Sequence, residues 1–342
     1  MKLTEKKTRF VAYQLGNAGS SFSYCDSKTF TLIEARLTDN SEFSLRSELK
    51  FFGKKSIDVL HITSWDNDHC SPNELNKILI EFAPKIVEFP GYEPYTNSGI
   101  SSLKLLKQYK NDCSKQKIII DLRVIKPIEF VPVQKQKLGG SDTLSSSTNL
   151  HFLHKREYQN SNNNSLIKFF RSGSFTVLSL GDVELPEIAE TLIKSKILIS
   201  QVDVMILAHH GADNGFTSEK FVQAISPKIA ICSSNYVNRF THPRQSIRDL
   251  LYENSIAIFT TKTGDVVIES VTNNSGEYTV TNKISNNLKD SNRKQVRYKS
   301  KRLIKRELKE IESLRKVVPE PKISFAEILR QQLWKKFRSA TE

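Results

Sequence analysis

The chain of 342 residues is long enough for one large domain or two ordinary ones, and with 38% hydrophobic residues it can bury a sizeable core. No apolar run approaches the ~18 residues of a membrane span. The start, MKLTEKKTRF, lacks the apolar stretch of a signal peptide, so a soluble cytoplasmic protein is expected. The formal charge of +14 is uneven: from Lys289 to Glu342 there are 17 Lys and Arg against 7 Asp and Glu, whereas the rest carries 34 against 30. Basicity thus belongs to a C-terminal tail, which suits an anionic partner. The four cysteines (Cys25, Cys70, Cys113, Cys232) are scattered without a C-x-x-C, and point neither to a zinc ribbon nor to a disulfide framework.

In chain order, RFVAYQLG and FTLIEARL read as strands, with Gly16 and Gly19 marking the bend after the first. SIDVLHIT, residues 56–63, is a buried strand by its Ile, Val and Leu content. It breaks into SWDNDHC and then a helix whose start is written in: Ser71 at N-cap, Pro72 at N1, and Glu74 completing a capping box. A helix over 98–111 and a strand at KIIIDL follow. Residues 134–164 read as poorly structured, since LGGSDTLSSSTN and YQNSNNNS hold few core formers. SLIKFFRSG and SFTVLSLGD look like a hairpin, LPEIAETLIKSK like a helix, and QVDVMILAHHG like a strand ending in a histidine pair. PKIAICSSN is a strand, HPRQSIRDLLYEN a helix with Pro243 near its start, and IAIFTTKTGDVVIES a closing hairpin. This mixture implies one α/β domain with two sheets over 1–286. Residues 287–342 are expected to form a basic amphipathic helical extension, with Phe325, Ile328, Leu329, Leu333 and Phe337 on one face of its last helix.

Four polar clusters, Asp66/Asp68/His69, Asp182, His209/His210 and His242, each follow or border a hydrophobic strand. Such positions converge when strands lie side by side in one sheet. Carboxylate and imidazole donors suit Zn or Mn, and Asp182 has two oxygens with which to bridge two ions. Singly, each cluster has a plainer reading as a polar turn or a helix start. Together they are hard to explain by coincidence. His61 reads as a core residue, His151 and His154 as surface, and Cys70 as packing.

Taken in order, these residues resemble the metallo-β-lactamase superfamily, and within it the hydrolase domain of ComEC-type competence proteins, over roughly residues 8–272. VAYQLGNAGSS looks like that family's first strand and glycine turn, and TLIEAR like its next strand with an acidic end. ITSWDNDH occupies the H-x-H-x-D-H position, HFLHKREYQNSNNNSLIKFF resembles the Asn-Ser strand entry, and LSLGDVE matches the bridging Gly-Asp. The stretch from VDVMILAHHG to RFTHP, with its histidine pair, Ser-x-x-x-Asn turn and His-Pro, is the most specific segment.

The resemblance implies a metallo-β-lactamase-like αββα sandwich, two mixed β-sheets flanked by helices, carrying the basic helical tail. It also implies a metal-dependent hydrolase, a phosphodiesterase or nuclease. Asp66, Asp68, His69, Asp182 and His210 become ligands for one or two divalent ions, Zn or Mn with Mg also open. Asp68, His209 and His242 become catalytic residues. Ser64 and Asp66 stand where the family has its first two histidines, so the second half-site keeps Asp66 and the shared Asp182, with Ser64 and Asn164 as weak ligands. Asn238 and Arg239 are expected to hold a phosphate oxygen, and Lys301, Arg302, Lys305 and Arg306 to track a nucleic-acid backbone, DNA in preference. The alternatives are a small-molecule phosphoester hydrolase and a non-catalytic scaffold that binds nucleic acid or a protein, with Phe325–Phe337 as a docking helix.

Overall fold

The computed structural model describes residues 7–125, 149–152, 154, 156–271, 276–284, 290–297 and 299. The chain divides into two units, 1–301 and 302–342. Lys301, Arg302, Lys305, Arg306 and the helix expected at Phe325–Phe337 lie outside the described residues.

The first half of the chain runs β1 (Arg9–Ala12), β2 (Phe22–Cys25), β3 (Phe30–Ile33), α1 (Asp39–Phe51), β4 (Val59–His61), α2 (Pro72–Glu81), β5 (Ile86–Pro90), α3 (Asn97–Lys115) and β6 (Asp121–Ile125). The middle holds β7 (Leu150–Phe152), β8 (Ile167–Phe170), β9 (Val177–Ser179), α4 (Pro186–Leu192), α5 (Lys196–Gln201) and β10 (Val204–Ile206). Then come α6 (Glu219–Ile225), β11 (Ile229–Cys232), α7 (Gln245–Glu253), β12 (Ala257–Thr260), β13 (Asp265–Ser270), β14 (Glu277–Lys283) and β15 (Asp290–Arg297).

Among the described residues these strands form two mixed sheets, one ordered β15-β14-β13-β1-β2-β3-β4-β5-β6 and the other β12-β11-β10-β9-β8-β7. Alternation along β1 shows how the layers arise. Phe10 and Ala12 enter the core between the sheets with Phe22, Phe170, Val204 and Ile231. Val11 faces the other way, with Leu45 and Leu49 of α1 and Leu75 and Ile78 of α2. On the far side, Phe169, Met205 and Ala230 pack against Ile188 of α4, Phe221 of α6 and Leu251 of α7. The result is the expected αββα sandwich. Its three apolar clusters are the main stabilising term, at about 1.5–3 kcal/mol for each large side chain buried.

Several local expectations fail for reasons visible in the packing. Ser71 does occupy the N-cap of α2, but no side-chain cap bond forms. Glu74 leaves the box to accept from Arg36 Nε (2.8 Å) and the Leu37 backbone N–H (2.6 Å). The strand at KIIIDL begins only at Asp121, where pairing to β5 starts, and Ile118 and Ile119 remain exposed. β12 and β13 are not a hairpin: β12 pairs in parallel with β11, and β13 crosses to the other sheet beside β1. The helical extension does not start at 287, because Asp290–Arg297 is strand β15, paired along β14. An edge strand tolerates its polar side chains, and Val296 still packs on the inter-sheet core.

Candidate metal centre

The polar clusters converge across the sandwich, from both sheets and not from one. β3 and β4 run parallel in the larger sheet, and β9, β10 and β11 run parallel in the smaller. The loops that leave their C-terminal ends meet at one end of the molecule. Asp68 and His69 follow β4, Asp182 follows β9, and His210 follows β10; one donor atom from each lies within 4.8 Å of the others.

Glycines permit the approach. At Gly19 (φ +125°) a Cβ would lie 2.5 Å from the Asp68 carbonyl oxygen, so only glycine lets the first turn close over the metal loop. Ser20 N–H then donates to that carbonyl at 3.0 Å. His209 and His210 both adopt left-handed backbone (φ 44° and 53°), a conformation uncommon for residues with a side chain and concentrated at functional sites.

The imidazoles are held from behind. His69 Nδ1 lies 3.2 Å from Glu34 Oε1, and Glu34 also accepts from Thr63 Oγ1 (2.6 Å) and Thr63 N–H (3.0 Å). His210 Nδ1 lies 2.9 Å from the Ser233 carbonyl. Since carboxylate and carbonyl oxygens only accept, both Nδ1 atoms carry a hydrogen and both Nε2 atoms face the centre, where each can hold a proton or a metal ion. His69 Nε2 is 3.0 Å from Asp182 Oδ2, and His210 Nε2 is 3.6 Å from Asp68 Oδ2 and 3.8 Å from Asp182 Oδ2. Lone pairs and carboxylate oxygens facing each other at such distances need a positive charge between them, a proton or a metal ion. Two imidazoles with two carboxylates form a donor set that fits Zn or Mn.

The charge balance agrees. Burial alone would raise Asp68 and Asp182, yet His69 and His210 override it and hold both carboxyls below the usual range. Burial opposes protonation of His69 and His210, but Asp182 with Glu34 and Asp68 keeps His69 well above its ordinary value, and Asp182 with Asp68 raises His210. The protein alone therefore retains protons where a divalent cation would replace them.

Other expected residues take different places. Asp66 Oδ2 accepts from Ser64 Oγ (2.9 Å) and Ser161 Oγ (2.8 Å) and stands outside the four-donor group. Ser64 Oγ also meets Tyr92 Oη at 3.1 Å. Asn164 commits its amide to the backbone of Tyr158, accepting at 2.7 Å and donating at 2.7 Å. Ser64 and Asn164 are thus bound up in the walls of the site. Asn238 accepts from His242 N–H (2.6 Å) and donates to the Asn235 and His242 carbonyls, so its amide shapes the 235–242 loop in place of offering itself to a phosphate. Arg239 stays exposed, with its guanidinium 4.5 Å over the Phe240 ring.

His209 and His242 flank the four donors without joining them. His209 Nδ1 lies 2.7 Å from Glu184 Oε1. Glu184 is itself clamped by Asn160 Nδ2 (2.8 Å) and Asn162 Nδ2 (2.9 Å). Burial, then His210 and His209, push His242 down to about 4, so its ring is neutral near pH 7. Glu34 and Glu184 are the partners that residue-by-residue reading missed as such. Their signal was present, one carboxylate ending β3 and the other two residues past Asp182. Cys70 is buried, and burial lifts its thiol to about 12, as fits a packing residue.

A second histidine–carboxylate group lies away from this centre. Glu88 of β5 accepts from Lys168 of β8, and its Oε2 lies 3.0 Å from His61 Nδ1 and 3.4 Å from His151 Nε2. His151 is therefore not a surface residue. Nor is His154, which is buried with Nε2 2.8 Å from the Ser165 carbonyl.

No family model matches the chain. The chain is 26% identical over 231 residues to ComE operon protein 3 of Bacillus subtilis, an alignment that takes in 67% of this chain and 26% of that protein. It is 34% identical over 58 residues to competence protein ComA of Neisseria gonorrhoeae, covering 17% of this chain and 8% of the other. The chain thus spans about a quarter or less of the length of the curated relatives it matches. Among solved structures, a metallo hydrolase from Ignicoccus hospitalis aligns over 77% of this chain and all of its own, at 13% identity and a TM-score of 0.43. The two-sheet body with its histidine–aspartate centre resembles the metallo-β-lactamase-like domain of ComEC-type competence proteins.

Proposed function

We propose that the protein is a metal-dependent hydrolase that cleaves phosphodiester bonds in nucleic acid, using one divalent ion held by Asp68, His69, Asp182 and His210. The observation that carries this reading is the four-donor group itself, with both imidazoles turned Nε2-inward by Glu34 and Ser233 and two further histidines left over beside it. When bound, the ion supplies Lewis-acid polarisation of the substrate and a more acidic water. His69 and His210 keep their orientation through hydrogen bonds that also raise their basicity as ligands. His209 has Nδ1 2.7 Å from Glu184 Oε1, which leaves the Nε2 lone pair to take a proton from a water or substrate hydroxyl and return it to a leaving group. His242 stands close by as a second hydrogen-bonding group. One ion is proposed, and not two, because Asp66 stands outside the four-donor group, with its Oδ2 accepting from two hydroxyls.

Nucleic acid is favoured as substrate by the similarity to ComE operon protein 3 and to a protein named for competence, and by the excess of basic residues from Lys289 onward. The test is cleavage of labelled single- and double-stranded DNA with Mn²⁺, Zn²⁺, Mg²⁺ or EDTA, beside an Asp182→Ala variant. Metal-dependent cutting that disappears in the variant is expected. Binding without cutting under every metal would remove the nuclease reading and move the weight to a non-catalytic scaffold or a small phosphoester substrate.

A further inference from the structure

The loop before His242 presents a feature that the metal centre does not use. Tyr236, Val237 and Phe240 are 74%, 81% and 50% exposed, three large apolar side chains within five residues at the rim of the site. They do not dangle on a loose segment, because Asn238 ties the loop to itself at both ends through Asn235 and His242. Apolar rings held rigidly in water give up little further conformational freedom when a partner covers them.

The rings are also aligned. Arg239 lies over the Phe240 ring at 4.5 Å. Phe240 stacks on His242 with centroids 5.5 Å apart and planes 20° apart, and His242 stacks on His210 at 6.2 Å and 14°. A column of flat groups therefore runs from solvent to one of the four donors. Among the described residues no carboxylate pairs with Arg239, so its charge is available to an incoming anion. Arg239 and His242 take the two faces of Phe240, so the flat surfaces open to a ligand are the outward plane of the Arg239 guanidinium and the exposed Tyr236 ring. A planar aromatic ligand that carries a phosphate beside it matches these surfaces and the charge, and a nucleotide in an unpaired strand has this chemistry. In a duplex the bases are already stacked and cannot cover these rings.

We propose that Tyr236 and the Arg239 guanidinium seated on Phe240 form a stacking platform for unpaired bases, with the Arg239 N–H groups reaching the adjoining phosphate, so that the strand reaching the metal centre is single-stranded there. This rests on the phosphodiesterase reading above and specifies its substrate. The test reads binding and cutting separately. Fluorescence polarisation of the full chain in EDTA compares a labelled single-stranded DNA with the same strand made abasic throughout. The base-bearing strand is expected to bind about tenfold more tightly, and in Tyr236→Ala and Phe240→Ala that ratio falls toward one. Tyr236→Ala lies outside the ring column, so its effect cannot come from disturbing His242.

Equal binding of the two strands by the unaltered protein overturns the proposal. So does a base preference that survives in both variants, since the bases would then sit elsewhere. A protein partner covering the same rings would appear as no base preference. In parallel, both strands are incubated with Mn²⁺. Base preference without cutting keeps the platform and removes the nuclease reading, whereas cutting without base preference does the reverse.

Discussion

This sandwich contains two groups of buried histidine and carboxylate, and they differ in what neutralises the carboxylates. Around Glu88 the countercharge is built in: the Lys168 ammonium lies against the carboxylate, His61 adds a hydrogen bond, and His151 Nε2 stands 3.4 Å away. Around Asp182 no lysine or arginine pairs with the carboxylates among the described residues; the positive partners are His69 and His210, whose Nε2 atoms can exchange a proton for a metal ion. Both groups bring three or more donor atoms within 4.8 Å of one another. Only the second leaves the cation to be supplied from outside. A histidine–carboxylate cluster is thus read by its internal cation as much as by its ligands.

Substitutions can break this contrast. Asp182→Ala is expected to lower DNA cleavage by a hundredfold or more and to abolish the rise of several degrees in Tm that metal brings to the unaltered protein. Unchanged metal stabilisation in the variant would show that the ion binds elsewhere. Glu88→Gln works the other way: it strands the buried Lys168 ammonium and is expected to remove about 3–5 kcal/mol of stability in urea unfolding, with metal affinity unaltered. Glu88→Gln combined with Lys168→Met should recover most of that loss. If the single change weakened metal binding instead, the two groups would not be independent.

Smaller effects sharpen the comparison. Glu34→Gln keeps the shape but weakens the acceptor behind His69, and should lower metal affinity about 10–100-fold by calorimetry. Acid should act through the Glu88 group. Burial and then Lys168 push His61 down to about 3, while the unfolded chain takes up that proton near 6.5. Between these values the unfolded state binds more protons, so stability falls as pH drops below 6.5, by about 1.4 kcal/mol per unit from this residue. Glu88, held below the ordinary carboxylate range, acts with the same sign at lower pH. His61→Gln should flatten the upper part of that slope in urea titrations between pH 6.5 and 4.5; an unchanged slope would assign it to other groups.

Much of the sandwich was legible in the sequence because two- and four-residue periodicities report burial directly. The buried run at 56–63, the histidine block after β10 and the helix from Pro72 are local statements, and they stand in the structure. What failed depends on partners distant in the chain. IAIFTTKTGDVVIES looks like a hairpin, but its halves join different sheets, since pairing with β11 and β1 lies outside any local window. The capping box at Ser71 lost its glutamate to Arg36, 38 residues away.

The asparagine run shows the same division inside the site. YQNSNNNS has the composition of a loop, yet Asn160 and Asn162 grip Glu184, Asn163 Oδ1 accepts from the Glu184 and Leu185 N–H groups, and Ser161 holds Asp66. The sequence by itself determined the residue types gathered at strand ends; with the family resemblance it implied five ligands, of which Asp68, His69, Asp182 and His210 lie together and Asp66 stands apart. Only the tertiary structure decided that Asp66 and Asn164 are occupied with hydrogen bonds, that Glu34 and Glu184 orient histidines, and that Glu88 is closed by a lysine. Hydrophobic periodicity is written along the chain, whereas the partner of a polar group is chosen by whichever donor or acceptor the folded layers bring within three ångströms.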